Sequence, residues 1–355
     1  MQVEGGSLPT IPAPGSGSAV GTPGAPLPGS LHNHPMATPR PIRWGILGTG
    51  DINRRFLPGA RQSAAVEIVA VASRDQARAT SFATELGIPR GMGSYEALLA
   101  DPGVDAVYIC LPNALHHRWT MAALAAGKHV LCEKPYTRRP DEVTEAFDAA
   151  DAAGLVLMEA FMWRHTPLAR RFVELLPTIG ELQQIRSTFS FSLDDGADIR
   201  LSSELEGGSL MDVGTYCVNA ARLLAAAEPI AAFGSSVVGP SGVDTRFTGV
   251  LRFTGGLTAQ FASGFTSDHR GLEAIGSDGW ILAPDPWSSE VDLLVRNGEE
   301  IRVEPTNAYR LELENMGAAI RGEVEPLLGR ADALGQARAI AALYGSAAAG
   351  AQISL

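Results

Sequence analysis

The sequence predicts an α/β chain in two parts: a doubly wound parallel sheet, then an α/β domain built on a large, mostly antiparallel open sheet. Three observations predict it. Between residues 41 and 160, short apolar runs alternate with helical stretches that close on glycine. Beyond residue 160 the apolar residues recur with period two instead. Finally, 355 residues are too many for one small core, so two domains are expected.

The first part opens with Ile42-Arg43-Trp44-Gly45-Ile46-Leu47, an apolar run ending at glycine, as strands buried on both faces do. Helical sequence follows, and Val66 to Ala72 forms the second strand. A helix through Ala77 to Leu86 ends at Gly87, a natural residue for the left-handed turn after a helix. Val104 to Leu111 is the next strand, and Leu115 to Ala126 a helix closing on Gly127. His129 to Cys132 is a strand, Asp141 to Ala153 a helix closing on Gly154, and Leu155 to Met158 a further strand. Strand–helix alternation of this kind gives a parallel sheet with right-handed crossovers.

In the second part Phe189, Phe191 and Leu193 alternate with polar residues, as do Phe247, Leu251 and Phe253. Leu257, Ala259, Phe261 and Phe265 form another such run, joined to the preceding one through Gly255-Gly256. Asn297-Gly298 joins Val291–Arg296 to Glu299–Val303. Both dipeptides tolerate the positive φ of tight hairpins. One face of this sheet should lie on helices, and the other is available for self-association into a dimer or tetramer. Asp332 to Ala349 reads as a terminal helix, giving a division into 41–160, 161–330 and 331–355.

A formal charge of −11 argues against nucleic acid or an anionic membrane as partner. No apolar run approaches the roughly 20 residues that span a bilayer. Cys110, Cys132 and Cys217 are odd in number and form no CxxC pair, which predicts a reducing, cytoplasmic compartment without disulfides or zinc. Residues 1–40 are rich in Pro, Gly and Ser with no apolar period, and read as a disordered tail. His32-Asn33-His34 in that tail lacks further ligands, so no metal is expected.

Gly48-Thr49-Gly50-Asp51-Ile52-Asn53 sits between a strand and a helix, where a turn can cradle a pyrophosphate at the helix N-terminus. Gly48 permits the turn and Gly50 the close approach of backbone to phosphate. Asn53 stands where the full dinucleotide fingerprint has a third glycine, so the motif alone fits a structural turn equally well. The surrounding alternation favours a Rossmann domain. The second strand ends in Ser73-Arg74-Asp75. Ser73 and Arg74, with Arg78 a turn on, suit the 2′-phosphate of NADP, whereas Asp75 leaves NAD open.

Glu133-Lys134-Pro135 follows a strand whose C-terminal end faces the crevice of such a fold. Pro135 restrains the backbone there, and a cis Lys134–Pro135 bond is allowed. A lysine so placed can orient a substrate oxygen and ease the loss of its proton. Further on comes Gly207-Gly208-Ser209-Leu210-Met211-Asp212-Val213-Gly214-Thr215-Tyr216. If Met211 opens a helix, Asp212 and Tyr216 share one face, and Gly214 lets a flat group approach the backbone.

The ordered set Gly45–Gly50, Glu133-Lys134-Pro135 and Met211–Tyr216 resembles the Gfo/Idh/MocA oxidoreductases, from about Pro41 to the C-terminus. Tyr216, where many members carry histidine, and Glu159-Ala160-Phe161-Met162-Trp163-Arg164 resemble the branch of glucose–fructose oxidoreductases, dihydrodiol dehydrogenases and NADP-dependent xylose dehydrogenases. The resemblance implies a catalytic pair Lys134 and Tyr216, with Asp212 contacting substrate. It also implies that Leu111, Pro112, Asn113 and His116 line the nicotinamide, Glu133 binds its ribose, and Trp163 and Arg164 border the cofactor. The activity implied is hydride transfer between NADP and an aldose or related cyclic polyol or diol. Three alternatives stay open: a sugar–sugar oxidoreductase holding NADP tightly, a sugar-nucleotide ketoreductase, and a dinucleotide-binding sensor without turnover. Substrate choice falls to loops such as Asp194–Glu206 and Ser267–Arg270.

Overall fold

Six parallel strands form the first sheet: β1 (Ile42–Leu47), β2 (Val66–Ala72), β3 (Gly91–Met92), β4 (Ala106–Ile109), β5 (His129–Glu133) and β6 (Leu157–Ala160). The structure, a computed structural model, describes residues 40–355. The expectations for the tail and for His32-Asn33-His34 therefore lie outside the described residues, Arg40 excepted. Strand order is β3-β2-β1-β4-β5-β6, so direction of winding reverses between β1 and β4. In open parallel sheets the ligand crevice lies at that reversal, outside the carboxyl ends of the strands.

The helices between these strands are α1 (Asn53–Arg61), α2 (Gln76–Glu85), α3 (Tyr95–Leu99), α4 (His116–Ala125) and α5 (Pro140–Ala153). Their bounds follow local chemistry. Asp75 and Ser94 cap α2 and α3 through their side-chain oxygens, Pro140 opens α5, and Gly154 ends it at φ 65°. All four residues of β4 are buried, as the sheet's doubly covered centre requires. Phe56 of α1 stacks on Tyr108 of β4 at 3.9 Å and 5°, fixing that helix over the switch point.

The second sheet has nine strands: β7 (Leu182–Ser190), β8 (Ala231–Val238), β9 (Asp244–Arg252), β10 (Thr258–Gly264), β11 (His269–Gly276), β12 (Gly279–Ala283), β13 (Leu293–Arg296), β14 (Glu299–Arg302) and β15 (Ile353–Ser354). Their order is β14-β13-β12-β11-β7-β10-β9-β8-β15, and every neighbouring pair is antiparallel except β7 with β10. Its helices are α6 (Pro167–Leu175), α7 (Thr215–Ala225), α8 (Ala308–Ile320) and α9 (Arg330–Ala349). Helix α7 packs on β7 and α9 on β8, while α8 lies against α1 and α9 against α5 of the first part.

Two local expectations need correction. The helix expected to open at Met211 begins instead with one loosely wound π turn, Leu210–Gly214, before α7. The side chain of Asp244 holds Ser209 Oγ and the Leu210 N–H, each at 2.8 Å, so the chain enters the helix from a fixed point. The last segment is also not helix throughout. Gly350, at φ 62°, ends α9, and Ile353–Ser354 then pairs with Ala231–Ala232 to cover the free edge of β8.

Candidate active site

A cleft of about 800 Å³ runs from the carboxyl end of the parallel sheet to the inner face of the second part. At its first end β1 turns at Gly48, whose φ is 116°; a Cβ there would stand 3.0 Å from the Cys110 carbonyl oxygen. Asn53, in the place of the missing third glycine, is fully buried. Its Nδ2 donates to the carbonyls of Gly48 (3.2 Å) and Gly50 (2.9 Å), pinning the turn from below. Among the described residues, the N–H groups of Gly50, Asp51 and Ile52 donate to no backbone acceptor, and no side chain caps α1. Free amides at a helix N-terminus are an anion cradle. Gly48, Thr49, Gly50, Asp51 and Ile52 all border the cleft.

Ser73, Arg74 and Arg78 border the same end. Arg78 Nε donates to Thr49 Oγ1 at 2.8 Å, which joins α2 to the glycine turn. The carboxylate of Asp75 is occupied: its Oδ1 accepts the Arg78 N–H at 2.7 Å as the cap of α2. An aspartate so engaged is poorly placed to grip a ribose diol, while the two guanidinium groups suit a phosphate.

Leu111, Pro112, Asn113 and His116 line the middle of the cleft. The His116 ring is buried between two carbonyl oxygens, with Nδ1 2.9 Å from that of Pro135 and Nε2 2.8 Å from that of Leu111. Burial pulls its pKa down, and both acceptors act in the opposite sense. Asn113 Nδ2 donates to the Glu206 carbonyl at 2.8 Å, tying the loop after β4 to the second part. Glu133 accepts the Tyr108 hydroxyl at 2.5 Å; burial raises its pKa, and neighbouring Lys134 works against that rise.

Lys134 reaches across from the end of β5, and its peptide bond to Pro135 is cis. Its Nζ donates to the main-chain oxygen of Asp212 at 2.7 Å and to Oδ1 of the same residue at 3.3 Å. It also stands 4.9 Å above the ring centroid of Tyr216. The other carboxylate oxygen of Asp212 accepts Arg200 Nε at 2.8 Å. Burial disfavours the charged form of Asp212, yet Lys134 and Arg200 together hold its pKa below the ordinary aspartate value. The Tyr216 ring meets Phe161, Phe189 and Trp287 edge-on at 5.3–5.8 Å, and burial lifts its hydroxyl well above the ordinary phenol range. The arrangement brings together a fixed cation, a carboxylate and a protonated phenol beside a phosphate cradle. Groups so arranged can exchange a proton with a ligand held in the cleft.

The substrate end carries groups that pattern reading did not single out. Arg200, paired to Asp198 at 3.1 Å, comes from the 194–206 loop, and Arg270 lies over the Phe189 ring at 5.5 Å. Trp287, stacked on Phe189 at 5.8 Å, comes from an aperiodic segment with two prolines, where no sequence signal marks it. Two expectations fail here. Trp163 and Arg164 do not border the cleft. Trp163 sits one layer back, edge-on to Trp287, and Arg164 turns away to Asp332 of α9 at 3.1 Å. Gly214 makes room for Ser263 rather than a ligand, because a Cβ there would lie 2.8 Å from Ser263 Oγ.

Residues 42–161 match the model of an oxidoreductase family with an NAD-binding Rossmann fold, and residues 177–282 match the Gfo/Idh/MocA C-terminal domain. D-xylose 1-dehydrogenase (NADP(+)) 2 of Haloferax volcanii is 42% identical over 324 residues, which are 88% of this chain and 100% of that protein. The chain belongs to the Gfo/Idh/MocA oxidoreductase family. Another member, the trans-1,2-dihydrobenzene-1,2-diol dehydrogenase of Mus musculus, is 34% identical over 274 residues, 74% of this chain and 80% of its own. Among solved Gfo/Idh/MocA-like structures, the aldose–aldose oxidoreductase of Caulobacter crescentus, complexed with glycerol, superposes with a TM-score of 0.82. It is 27% identical and covers 89% of this chain and 100% of its own. KijD10, a 3-ketoreductase from Actinomadura kijaniata in complex with NADP and TDP-benzene, gives 0.82 at 30% identity, covering 86% and 98%.

Proposed function

We propose that this protein is an NADP-dependent oxidoreductase that exchanges a hydride with the hydroxyl-bearing carbon of an aldose or related cyclic polyol. The observation that carries the reading is Lys134. It leaves the dinucleotide-binding sheet, bonds to Asp212 and stands over Tyr216, in the cleft that also holds the glycine turn. Similarity to a D-xylose dehydrogenase and to a dihydrodiol dehydrogenase supports the substrate class. NADP supplies the hydride-accepting and hydride-donating nicotinamide when bound. Gly50, Asp51 and Ile52 would hold its pyrophosphate and Arg74 and Arg78 its 2′-phosphate.

The chain's own residues manage the proton. Tyr216 keeps its hydroxyl proton across the neutral range because it is buried, so it can donate to a carbonyl oxygen in the reductive direction. The Lys134 ammonium above its ring would steady negative charge on the phenol oxygen when the proton leaves. Asp212 anchors Lys134 on one side and Arg200 on the other, leaving them fixed for the substrate hydroxyls. Phe189 and Trp287 offer the apolar face of a sugar ring a flat wall.

The Lys134→Ala variant tests this reading. It should lose turnover with every sugar in a panel of aldoses, ketoses and diols, followed at the nicotinamide absorbance, while NADPH fluorescence titration gives nearly unchanged affinity. Near-normal turnover would overturn the assignment. We also infer that residues 41–160 hold the dinucleotide and 161–330 the substrate. Exposed Phe233 and Val237 on the outward side of β8 support self-association through the nine-stranded sheet, which light scattering would reveal. Among the described residues no helix is long and apolar enough to cross a membrane, which is compatible with a cytoplasmic location.

A further inference from the structure

Within the segment Glu159–Arg164, Met162 borders the cleft while Trp163 and Arg164 do not, and another of its side chains touches the loop that carries Lys134. Glu159, on β6 and 4% exposed, accepts the Tyr136 N–H through Oε1 at 2.8 Å. On the opposite side the His116 ring lies 2.9 Å from the Pro135 carbonyl oxygen. These are the two poles of a single peptide group, the one joining Pro135 to Tyr136, immediately after Lys134. Two buried ionisable side chains, from β6 and from α4, thus grip its N–H and its C=O. Two residues beyond Glu159, Phe161 meets the Tyr216 ring edge-on at 5.5 Å.

The geometry points to Glu159 as a positioning residue for the hydride-transfer reaction: by holding the Pro135–Tyr136 peptide against His116, it sets the reach of Lys134. The reach has little slack. The Nζ contact to Asp212 Oδ1 is already 3.3 Å, so a backbone shift of about 1 Å would break it, and misplacement of that size costs up to about 100-fold in rate. A neutral partner suffices for the grip, because the peptide N–H needs only an acceptor. Burial pushes the Glu159 carboxyl up to about 8, so glutamine matches it in shape and in charge at neutral pH.

The inference rests on the oxidoreductase reading above, and the experiment separates the two. Wild type, Lys134→Ala, Glu159→Met, Glu159→Asp and Glu159→Gln are compared for kcat and KM with an oxidisable aldose, for NADPH affinity by fluorescence, and for melting temperature. A wild type inactive on every substrate defeats the oxidoreductase reading itself. Given an active wild type, Glu159→Met is expected to lose about 10- to 100-fold in kcat with KM and NADPH affinity within about two-fold. Glu159→Gln should restore kcat to within about two-fold of wild type. Glu159→Asp, whose shorter side chain withdraws the acceptor while staying polar, should behave like the methionine variant, and serves in its place if that variant does not fold. Unchanged kcat in either variant overturns the inference. So does a loss shared in proportion by NADPH affinity and melting temperature, failure of glutamine to restore kcat, or failure of both variants to fold, since each marks a general structural role.

Discussion

Replacing Arg74 with alanine tests whether this residue favours NADP over NAD. The substitution removes one of two guanidinium groups at the tip of β2 and leaves the glycine turn and the cap of α2 in place, since Asp75 holds the Arg78 N–H independently. A charge-assisted hydrogen bond to phosphate contributes about 1.5–3 kcal/mol. Arg74 is exposed, and solvent screening puts its share at the low end, about 1.4 kcal/mol, or ten-fold in affinity. Arg78 is already anchored to Thr49 Oγ1 at 2.8 Å, so its phosphate contact needs less ordering. The double variant should therefore lose about 100-fold or more. The assay is fluorescence titration with NADPH and with NADH, at low and at moderate salt. NADPH affinity should fall ten-fold in Arg74→Ala, NADH affinity should stay level, and the NADPH loss should shrink as salt screens the wild-type contact. Equal loss for both dinucleotides would refute a 2′-phosphate role and return Arg74 to the status of a surface residue.

Tyr216→Phe should lower kcat by about 10²–10⁴-fold without shifting the melting temperature much, because its ring contacts with Phe161, Phe189 and Trp287 are retained. Gly48→Ala should cost about 1–3 kcal/mol of stability, measured by urea unfolding, and weaken dinucleotide binding, given a φ of 116° and the nearby Cys110 carbonyl. Asp105 offers a pH test. Hydrogen bonds from the Arg43 side chain hold its pKa at about 2, below the usual 3.8. A depressed carboxyl pKa stabilises the fold fully above the ordinary value, and the contribution disappears as pH falls from about 4 to 2. Asp105→Asn should thus lower stability by roughly 1 kcal/mol at neutral pH, solvent screening included. Its denaturant midpoint should also fall less steeply between pH 4 and 2 than that of the wild type.

Legibility followed how local the determining physics was. The parallel strands could be read because burial on both faces leaves uninterrupted apolar runs, and the helices between them end at glycines such as Gly154. The hairpin at Asn297-Gly298 was equally plain, since both residues take positive φ there. By contrast β3 and β15 have two residues each, and they exist only because a neighbouring strand offers an edge. The parallel pairing of β7 with β10 depends on chain routing that no window of sequence contains. In the site, Gly48, Lys134, Asp212 and Tyr216 stand in motifs whose order could be read, and the cleft brings them together. Arg200 and Trp287 lie in irregular segments and Arg270 near the start of β11, where only the folded chain decides what faces the cleft. Asn53 looked like a defect in the fingerprint, because its value lies in side-chain bonds across the turn.

Helices α8 and α9 carry a consequence for anyone recombining this chain with its relatives. Although both follow the second sheet's main strands, α8 packs on α1 so closely that a Cβ on Gly59 would come within 2.8 Å of the Arg310 amide nitrogen. Arg330 at the start of α9 pairs with Asp148 and Asp151 of α5 at 2.6 and 2.8 Å. The first hundred and twenty described residues are thus clasped by the last fifty. A crossover placed near residue 160 alone would pair one parent's dinucleotide half with the other parent's clasp. Grafts that preserve function should take two cuts, so that the C-terminal helices travel with the N-terminal sheet and only the strands between them change hands.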